Sequence, residues 1–447
     1  KTIDGGAGTD SLTISVSGHT SLSDFHITKS SDLIILTSKT SGNTIGFKNL
    51  ESLVVGSVSY VVSDGEYGST ETGNHFWSTS TKSFYAFDGS YSYGGYSGGI
   101  IQQGMPIFGA GSDGVPGLSD IAQNASSTVT FIGSNVGDYI ALGAHRDGSS
   151  SNFLGSYNVS LGDGNDKIAD GGFKNGDSVD MGAGDDIVEL RINQNTHGPT
   201  GTPTISNFDM VKLDGGAGTD TLSFTYSVGD GSEITLSTGG AVNFENLIAT
   251  SSAEIVRGDS GNNEINGGGG ADTVYGGAGD DILLSVDIYG QGANSNLYGE
   301  AGNDTLTTRA GDDILDGGTG ADTITTGGGS DTIVLRVGDG GSTLADADTI
   351  TDFVSGTDKL SIVNITSGAP TTFLGNFATA AQAQAVAAIS GVAGQAYYIT
   401  GDKQAYVTAL ASAVPGVSDF VANMTGVATM SATDFGIGAQ GTGNTSA

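Results

Sequence analysis

Seven short segments between Arg257 and Ile333 repeat one pattern: a glycine-rich turn, an acidic residue or its amide at the sixth place, then an apolar residue. Four of them are Asn266-Gly-Gly-Gly-Gly-Ala-Asp-Thr-Val274, Tyr275-Gly-Gly-Ala-Gly-Asp-Asp-Ile-Leu283, Asp316-Gly-Gly-Thr-Gly-Ala-Asp-Thr-Ile324 and Thr326-Gly-Gly-Gly-Ser-Asp-Thr-Ile333. The sixth-place residues are Asn263, Asp272 and Asp281, then Asp304, Asp313, Asp322 and Asp331, nine apart within each set. A period this short permits one turn and one very short strand per copy, which is half a coil of a solenoid. Eighteen residues then complete a coil, and residues eighteen apart stack: Asp313 over Asp331, Asp304 over Asp322, Asn263 over Asp281. Val274, Ile282, Leu306, Ile314, Ile324 and Ile333 recur in phase and supply an interior, because strand side chains alternate faces. A flexible linker would carry the glycine without the period.

The turn chemistry points to a cation. Calcium takes six to eight oxygens at roughly 2.3–2.6 Å. Glycine tolerates φ > 0 and lets a tight turn swing its carbonyls inward, and the aspartate adds a charged oxygen. Stacked carboxylates repel unless a cation lies between them. The candidate calcium ligands are therefore Asn263, Asp272, Asp281, Asp304, Asp313, Asp322 and Asp331, with turn glycines such as Gly267, Gly269, Gly276 and Gly317. Isolated copies of the turn add Asp10, Asp166, Asp186 and Asp220. The charge balance agrees: 49 acidic against 15 basic residues give a formal charge of −34. Such an excess opposes compaction and excludes phosphate-tracking nucleic-acid binding.

These motifs resemble the RTX (repeats-in-toxin) proteins of Gram-negative bacteria. The resemblance implies a right-handed parallel β-roll, calcium held between loops, folding outside the cell and export by a type I secretion system. The chain departs from the family at Glu254 and Asn263, which stand where the family has aspartate, and in the 23-residue step from Asp281 to Asp304. That step predicts an insertion around Leu284–Leu297 that interrupts the roll. Residues 348–363 resemble the segment that closes many RTX rolls, with Asp348 and Asp358 either holding a last calcium or serving as turn residues. Met430-Ser-Ala-Thr-Asp-Phe435 resembles the uncleaved C-terminal secretion signals of that export route.

The expected architecture is all-β: a parallel β-roll with an all-β insertion and a small C-terminal β/α segment. Its parts are a roll-like segment 1–62, an aromatic Gly/Ser/Tyr-rich insertion 63–154, a roll-like segment 155–250, the main calcium roll 251–363 and a C-terminal segment 364–447. Two stretches read as copies, Asp4–Leu12 followed by Phe47-Lys-Asn-Leu50, and Asp214–Leu222 followed by Phe244-Glu-Asn-Leu247. In the first, Leu12, Ile14 and Val16 alternate like a strand. The insertion's aromatics, among them Phe76, Trp77, Phe84, Tyr85 and Tyr91, suit either a small core or contact with glycan or a neighbouring subunit. Ala378–Ile389 is the best helix candidate, and Ala396–Val407 reads as a hairpin.

Catalytic motifs are weak. Gly95-Tyr-Ser-Gly-Gly99 lacks the strand–turn–helix frame of a nucleophile elbow. Gly109-Ala-Gly-Ser-Asp-Gly114 is followed by Val-Pro-Gly where a dinucleotide site needs a helix. No His-Glu-x-x-His occurs, and Arg257-Gly-Asp259 lies inside a repeat loop. There is no cysteine to staple the chain, and no apolar run reaches the ~18 residues of a membrane helix. The N-terminus opens inside a repeat and suggests a piece of a longer polypeptide. The sequence is read as a non-enzymatic, extracellular, self-assembling protein such as an S-layer or filament subunit, a homopolymer that contacts cell-surface glycan or lipopolysaccharide. An adhesin, or the C-terminal part of a secreted hydrolase or toxin, are the alternatives. Metal-linked folding predicts that far-UV circular dichroism shows little β-structure in EDTA and gains it on adding calcium; a spectrum indifferent to EDTA contradicts this.

Overall fold

A computed structural model gives the fold for residues 1–30, 33–63, 156–171, 178–190, 212–224, 230–237, 240–286, 293–336, 347–363, 372–378, 395–399, 404–408 and 420–437, and for short strands between 71 and 141. The two catalytic-looking motifs, most of the aromatic insertion and nearly all of the expected 378–389 helix lie outside these residues. The chain divides into two compact units, Lys1–Tyr226 with Thr238–Phe244, and Ser227–Ser237 with Glu245–Ala447.

The second unit is a parallel β-roll with two ladders. One runs through Asn246–Ile248, Glu264–Asn266, Ile282–Ser285, Thr305–Thr308, Thr323–Thr325 and Asp348–Ile350. The other runs through Ser232–Thr235, Glu254–Arg257, Thr273–Ala278, Asn296–Ala301, Ile314–Asp316, Thr332–Arg336 and Lys359–Val363. Pairing is parallel and in register: Thr305 faces Thr323 and Ile314 faces Thr332, eighteen residues apart as the stacking rule requires. The roll ends on Phe420–Met424 and Phe435–Ile437, each parallel to the last coil strand. The expected hairpin forms between Gln395–Ile399 and Gln404–Thr408, antiparallel.

The interior is two columns of aliphatic side chains. Leu247, Ile265, Leu283, Leu306, Ile324 and Ile350 line one ladder, and Val256, Val274, Leu297, Leu315, Ile333 and Leu360 the other, all with no exposed surface. This corrects two residues of the expected core. Ile282 and Ile314 are 41% and 37% exposed, and Leu283 and Leu315 point inward instead. Alternation explains it: the residue directly after the aspartate faces out and the next faces in.

The interruption expected at Leu284–Leu297 is also corrected. Asn296–Ala301 pairs in register with Thr273–Ala278 before it and Ile314–Asp316 after it. The five extra residues of the 23-residue step fall between Ser285 and Ala293, and the ladders run on past them.

In the first unit, Thr2–Asp4 pairs parallel with Thr44–Lys48, and Leu33–Ser38 and Phe25–Ser30 extend that sheet as antiparallel strands. Leu22, Ile34, Leu36, Phe47, Leu53 and Tyr60 form its core, with the Tyr60 hydroxyl accepting from the Leu22 N–H at 3.1 Å. Val16 is 51% exposed, so the expected alternation stops at Ile14. Further along, Ser156–Ser160, Ser178–Asp180 and Leu213–Asp214 form one parallel ladder, and Lys167–Gly171, Ile187–Leu190 and Thr221–Phe224 another.

The two proposed sequence copies do correspond, but three residues out of the expected alignment. Asn49 and Asn243 are the equivalents: both have positive φ (53° and 55°), and each side-chain amide donates to Oδ1 of Asp4 or Asp214 at 2.7 Å. Asparagine tolerates that backbone region better than most residues, so Lys-Asn-Leu-Glu matches Val-Asn-Phe-Glu. The pairing of phenylalanines misled because Phe47 precedes the turn and Phe244 follows it.

A contrast in core substitutions checks the corrected interior. Leu306→Ala is expected to lower stability in calcium by about 2–5 kcal/mol, read as a shifted urea midpoint, whereas Ile282→Ala changes it by about 0.5 kcal/mol or less.

Candidate metal centre

The sixth-place aspartates use their two oxygens differently. Oδ1 accepts a backbone N–H from the coil before. In one ladder the donors run Asn263 to Asp281 (2.7 Å), Asp281 to Asp304 (2.8 Å), Asp304 to Asp322 (2.8 Å) and Asp322 to Asp348 (3.1 Å). In the other they run Glu254 to Asp272 (3.1 Å), Ser295 to Asp313 (2.7 Å), Asp313 to Asp331 (2.9 Å) and Asp331 to Asp358 (3.2 Å). These bonds replace strand pairing where the chain turns, and they are charge-assisted.

Oδ2 does the opposite. In Asp272, Asp281, Asp304, Asp313, Asp322 and Asp331 it is buried and has no hydrogen-bond partner, and so is Oε2 of Glu254. In Asp272, Asp281, Asp304 and Asp322 it is aimed at the first glycine of its own turn, while in the turns of Asp313 and Asp331 that place is held by Thr308 and Thr326. A Cβ placed on Gly267 would lie 2.7 Å from Asp272 Oδ2, and Cβ atoms on Gly276, Gly299 and Gly317 would collide with Oδ2 of Asp281, Asp304 and Asp322. The carbonyl oxygen of the next coil's glycine crowds the same point: Gly299 O at 2.8 Å from the position on Gly276, and Gly317 O beside that on Gly299. Glycine thus keeps open a cradle bordered by a carboxylate oxygen and a backbone carbonyl. Gly269 lies one coil above Thr250, donating its N–H to that carbonyl at 2.9 Å. Among the described residues no three acidic or histidine side chains are grouped so that one metal ion could be held by them, so carbonyls must furnish most of any coordination shell. Calcium, which takes carbonyl oxygens readily, suits that donor set.

Burial makes the carboxylates unwilling anions. Asp281 is pushed up to about 7 by burial, with Asp304 nearby adding to it. Burial raises Asp322 to about 7, and Asp304 and Asp331 to about 6. Asp313 is raised for the same reason. Glu254 and Asp272 are also raised by burial, and for Glu254 the charge of Asp272 contributes. A bound cation reverses this logic by stabilising the ionised form.

Not every expected ligand stands in this arrangement. Asn263 occupies a carboxylate's place, and its Oδ1 accepts from the Asp259 N–H at 2.9 Å. Asp358 is engaged on both oxygens, Oδ2 accepting from the Val354 N–H at 2.7 Å, as a turn residue would be; Asp348 terminates the other file. Asp10 belongs to the first unit, where its N–H donates to Glu51 Oε2 at 2.7 Å. Asp166, Asp186 and Asp220 come together in one file, described below.

Three features escaped the sequence reading. Ser295 holds the missing sixth place between Asp272 and Asp313, its hydroxyl accepting the Asp272 N–H at 3.3 Å; the 23-residue step concealed it. Fifth-place Asn and Asp residues form a second, exposed ladder of the reverse polarity, as where Asp280 donates its N–H to Asn262, Asn303 to Asp280 and Ala321 to Asn303. The Arg-Gly-Asp tripeptide is absorbed by the roll: the Arg257 guanidinium lies 4.1 Å from the Tyr275 ring centre, and Tyr275 stacks on Tyr298.

Residues 248–283, 287–315, 298–333 and 307–340 match the RTX calcium-binding nonapeptide repeat. Comparison with curated proteins finds no match to the chain.

The raised carboxylates set a pH dependence. A folded-state value above the unfolded one of about 4 stabilises the metal-free roll fully below that pH, and the contribution is lost as pH rises through 6–7. In metal-free buffer the β-structure read by far-UV circular dichroism is therefore expected to increase as pH falls from 8 to 5. Apparent calcium affinity runs the other way and weakens over the same interval, since the ligands must be ionised. A metal-free β-signal independent of pH contradicts the first, and a calcium affinity independent of pH the second.

Proposed function

We propose that this RTX-repeat chain is an extracellular structural protein, folded by calcium and self-assembling at a bacterial surface as an S-layer or filament subunit. The observation that carries it is the run of buried carboxylates, Asp272 to Asp331, each with one oxygen lacking a hydrogen-bond partner, which in Asp272, Asp281, Asp304 and Asp322 is aimed at a glycine cradle. Calcium held there by the aspartate oxygens and the adjoining glycine carbonyls neutralises what burial and a charge of −34 oppose. Asp272, Asp281, Asp304, Asp313, Asp322 and Asp331 are the proposed ligands, and Ser295 marks a rung without a carboxylate. Folding then depends on the calcium of the exterior, which fits export before folding. Assembly is supported by the acidic exposed ladder of fifth-place residues such as Asp280 and Asp312, whose faces further cations can join across subunits. No reaction is assigned to the chain.

Electron microscopy of the purified chain in millimolar calcium tests assembly. Ordered sheets or fibres are expected with calcium and none after chelation. Monodisperse particles in calcium overturn the assembly half, and calcium-independent folding overturns the whole.

A further inference from the structure

We infer that the first unit contains its own calcium file, built on Asp166, Asp186 and Asp220, outside the residues that match the RTX repeat. The inference rests on the calcium reading of the roll and extends it to a second, separate unit. Steps of 20 and 34 residues separate these aspartates, so no nine-residue period connects them. The fold nevertheless stacks them as it stacks the roll. The Asp166 N–H donates to Asp186 Oδ1 at 2.6 Å, and the Asp186 N–H to Asp220 Oδ1 at 2.8 Å.

The turns stack with them. Asp163, Ala183 and Ala217 bridge in parallel from one turn to the next. A Cβ on Gly182 or Gly184 would strike the carbonyl oxygen of Gly162 or Gly164, and one on Gly216 or Gly218 that of Gly182 or Gly184. Two columns of glycine carbonyls thus run beside the aspartates. The exposed ladder recurs too, with Asp185 donating its N–H to Asn165 and Thr219 to Asp185, both at 3.1 Å.

The ligand signal is Asp186 itself. Its side chain has no exposed surface, and its Oδ2 is buried without a hydrogen-bond partner, the same orphaned oxygen as in Asp304. The turns of Asp166 and Asp186 differ from the roll in their first place, where Leu161 and Met181, both fully buried, stand instead of glycine, so the backbone oxygens on offer are those of Gly162, Gly164, Gly182 and Gly184. The cation is of the same class, a hard divalent ion that accepts a carboxylate and carbonyls.

Hydrogen–deuterium exchange on the full chain, in calcium and in chelator, tests this without any variant. Peptides covering 178–190 and 305–325 are both expected to lose protection in chelator. Asp186→Asn keeps the Oδ1 acceptor and removes the anionic oxygen; it is expected to cut bound calcium and deprotect 178–190 while 305–325 stays protected. Exchange at 178–190 that ignores calcium while 305–325 responds overturns the second file and leaves the roll's reading standing. Indifference at both stretches overturns both. An Asp186→Asn chain with undiminished calcium and protection likewise sinks the second file.

Discussion

One carboxylate with two fates holds this architecture together. Each sixth-place aspartate gives Oδ1 to the neighbouring coil's backbone and buries Oδ2 with no donor. The first bond supplies a partner for an N–H at the corner, where a tight turn interrupts strand pairing and buried donors must otherwise go unmet. The second oxygen carries a desolvation cost that burial alone cannot offset. The same side chain is therefore both the joint of the coil and the reason the coil calls for a cation. Separating those roles by substitution is possible because asparagine preserves the first and not the second.

The hydrophobic contribution is real but narrow. Each coil offers one aliphatic side chain per ladder, such as Leu306 and Leu315, fully enclosed. A single coil buries too little to stand alone, so stability is shared between neighbours and accumulates along the stack. With so thin a core, the electrostatics at the corners weigh heavily in whether the stack forms.

Much of this was legible in the sequence, for a physical reason. The strict nine-residue spacing of Asp304, Asp313, Asp322 and Asp331 fixes half-coils, their stacking partners and the two ladders. Where the period is broken, legibility fails in specific ways. The step after Asp281 suggested an interruption, yet the strands on either side of its extra residues pair in register and Ser295 keeps the rung. The turns at Asp166, Asp186 and Asp220 looked isolated because chain inserted between coils hides a vertical relation that only the fold restores. Ile282 and Ile314 looked like core because composition does not show phase; one residue's shift turns a side chain from inside to outside. The split use of the two carboxylate oxygens has no sequence signature at all.

The opposed polarity of the two side-chain ladders has a further consequence. Asp304 passes its N–H forward to Asp322, while Ala321 passes its own back to Asn303. The same pair of ladders, with the same polarities, runs on the other side of the roll through Asp313 to Asp331 and Ser330 to Asp312, so every whole coil offers the same sockets above and below. Length can change by duplication or loss of eighteen residues without disturbing what remains, and nine-residue changes exchange the two faces. Such a rod evolves in quanta, its height a free variable while its cross-section stays fixed.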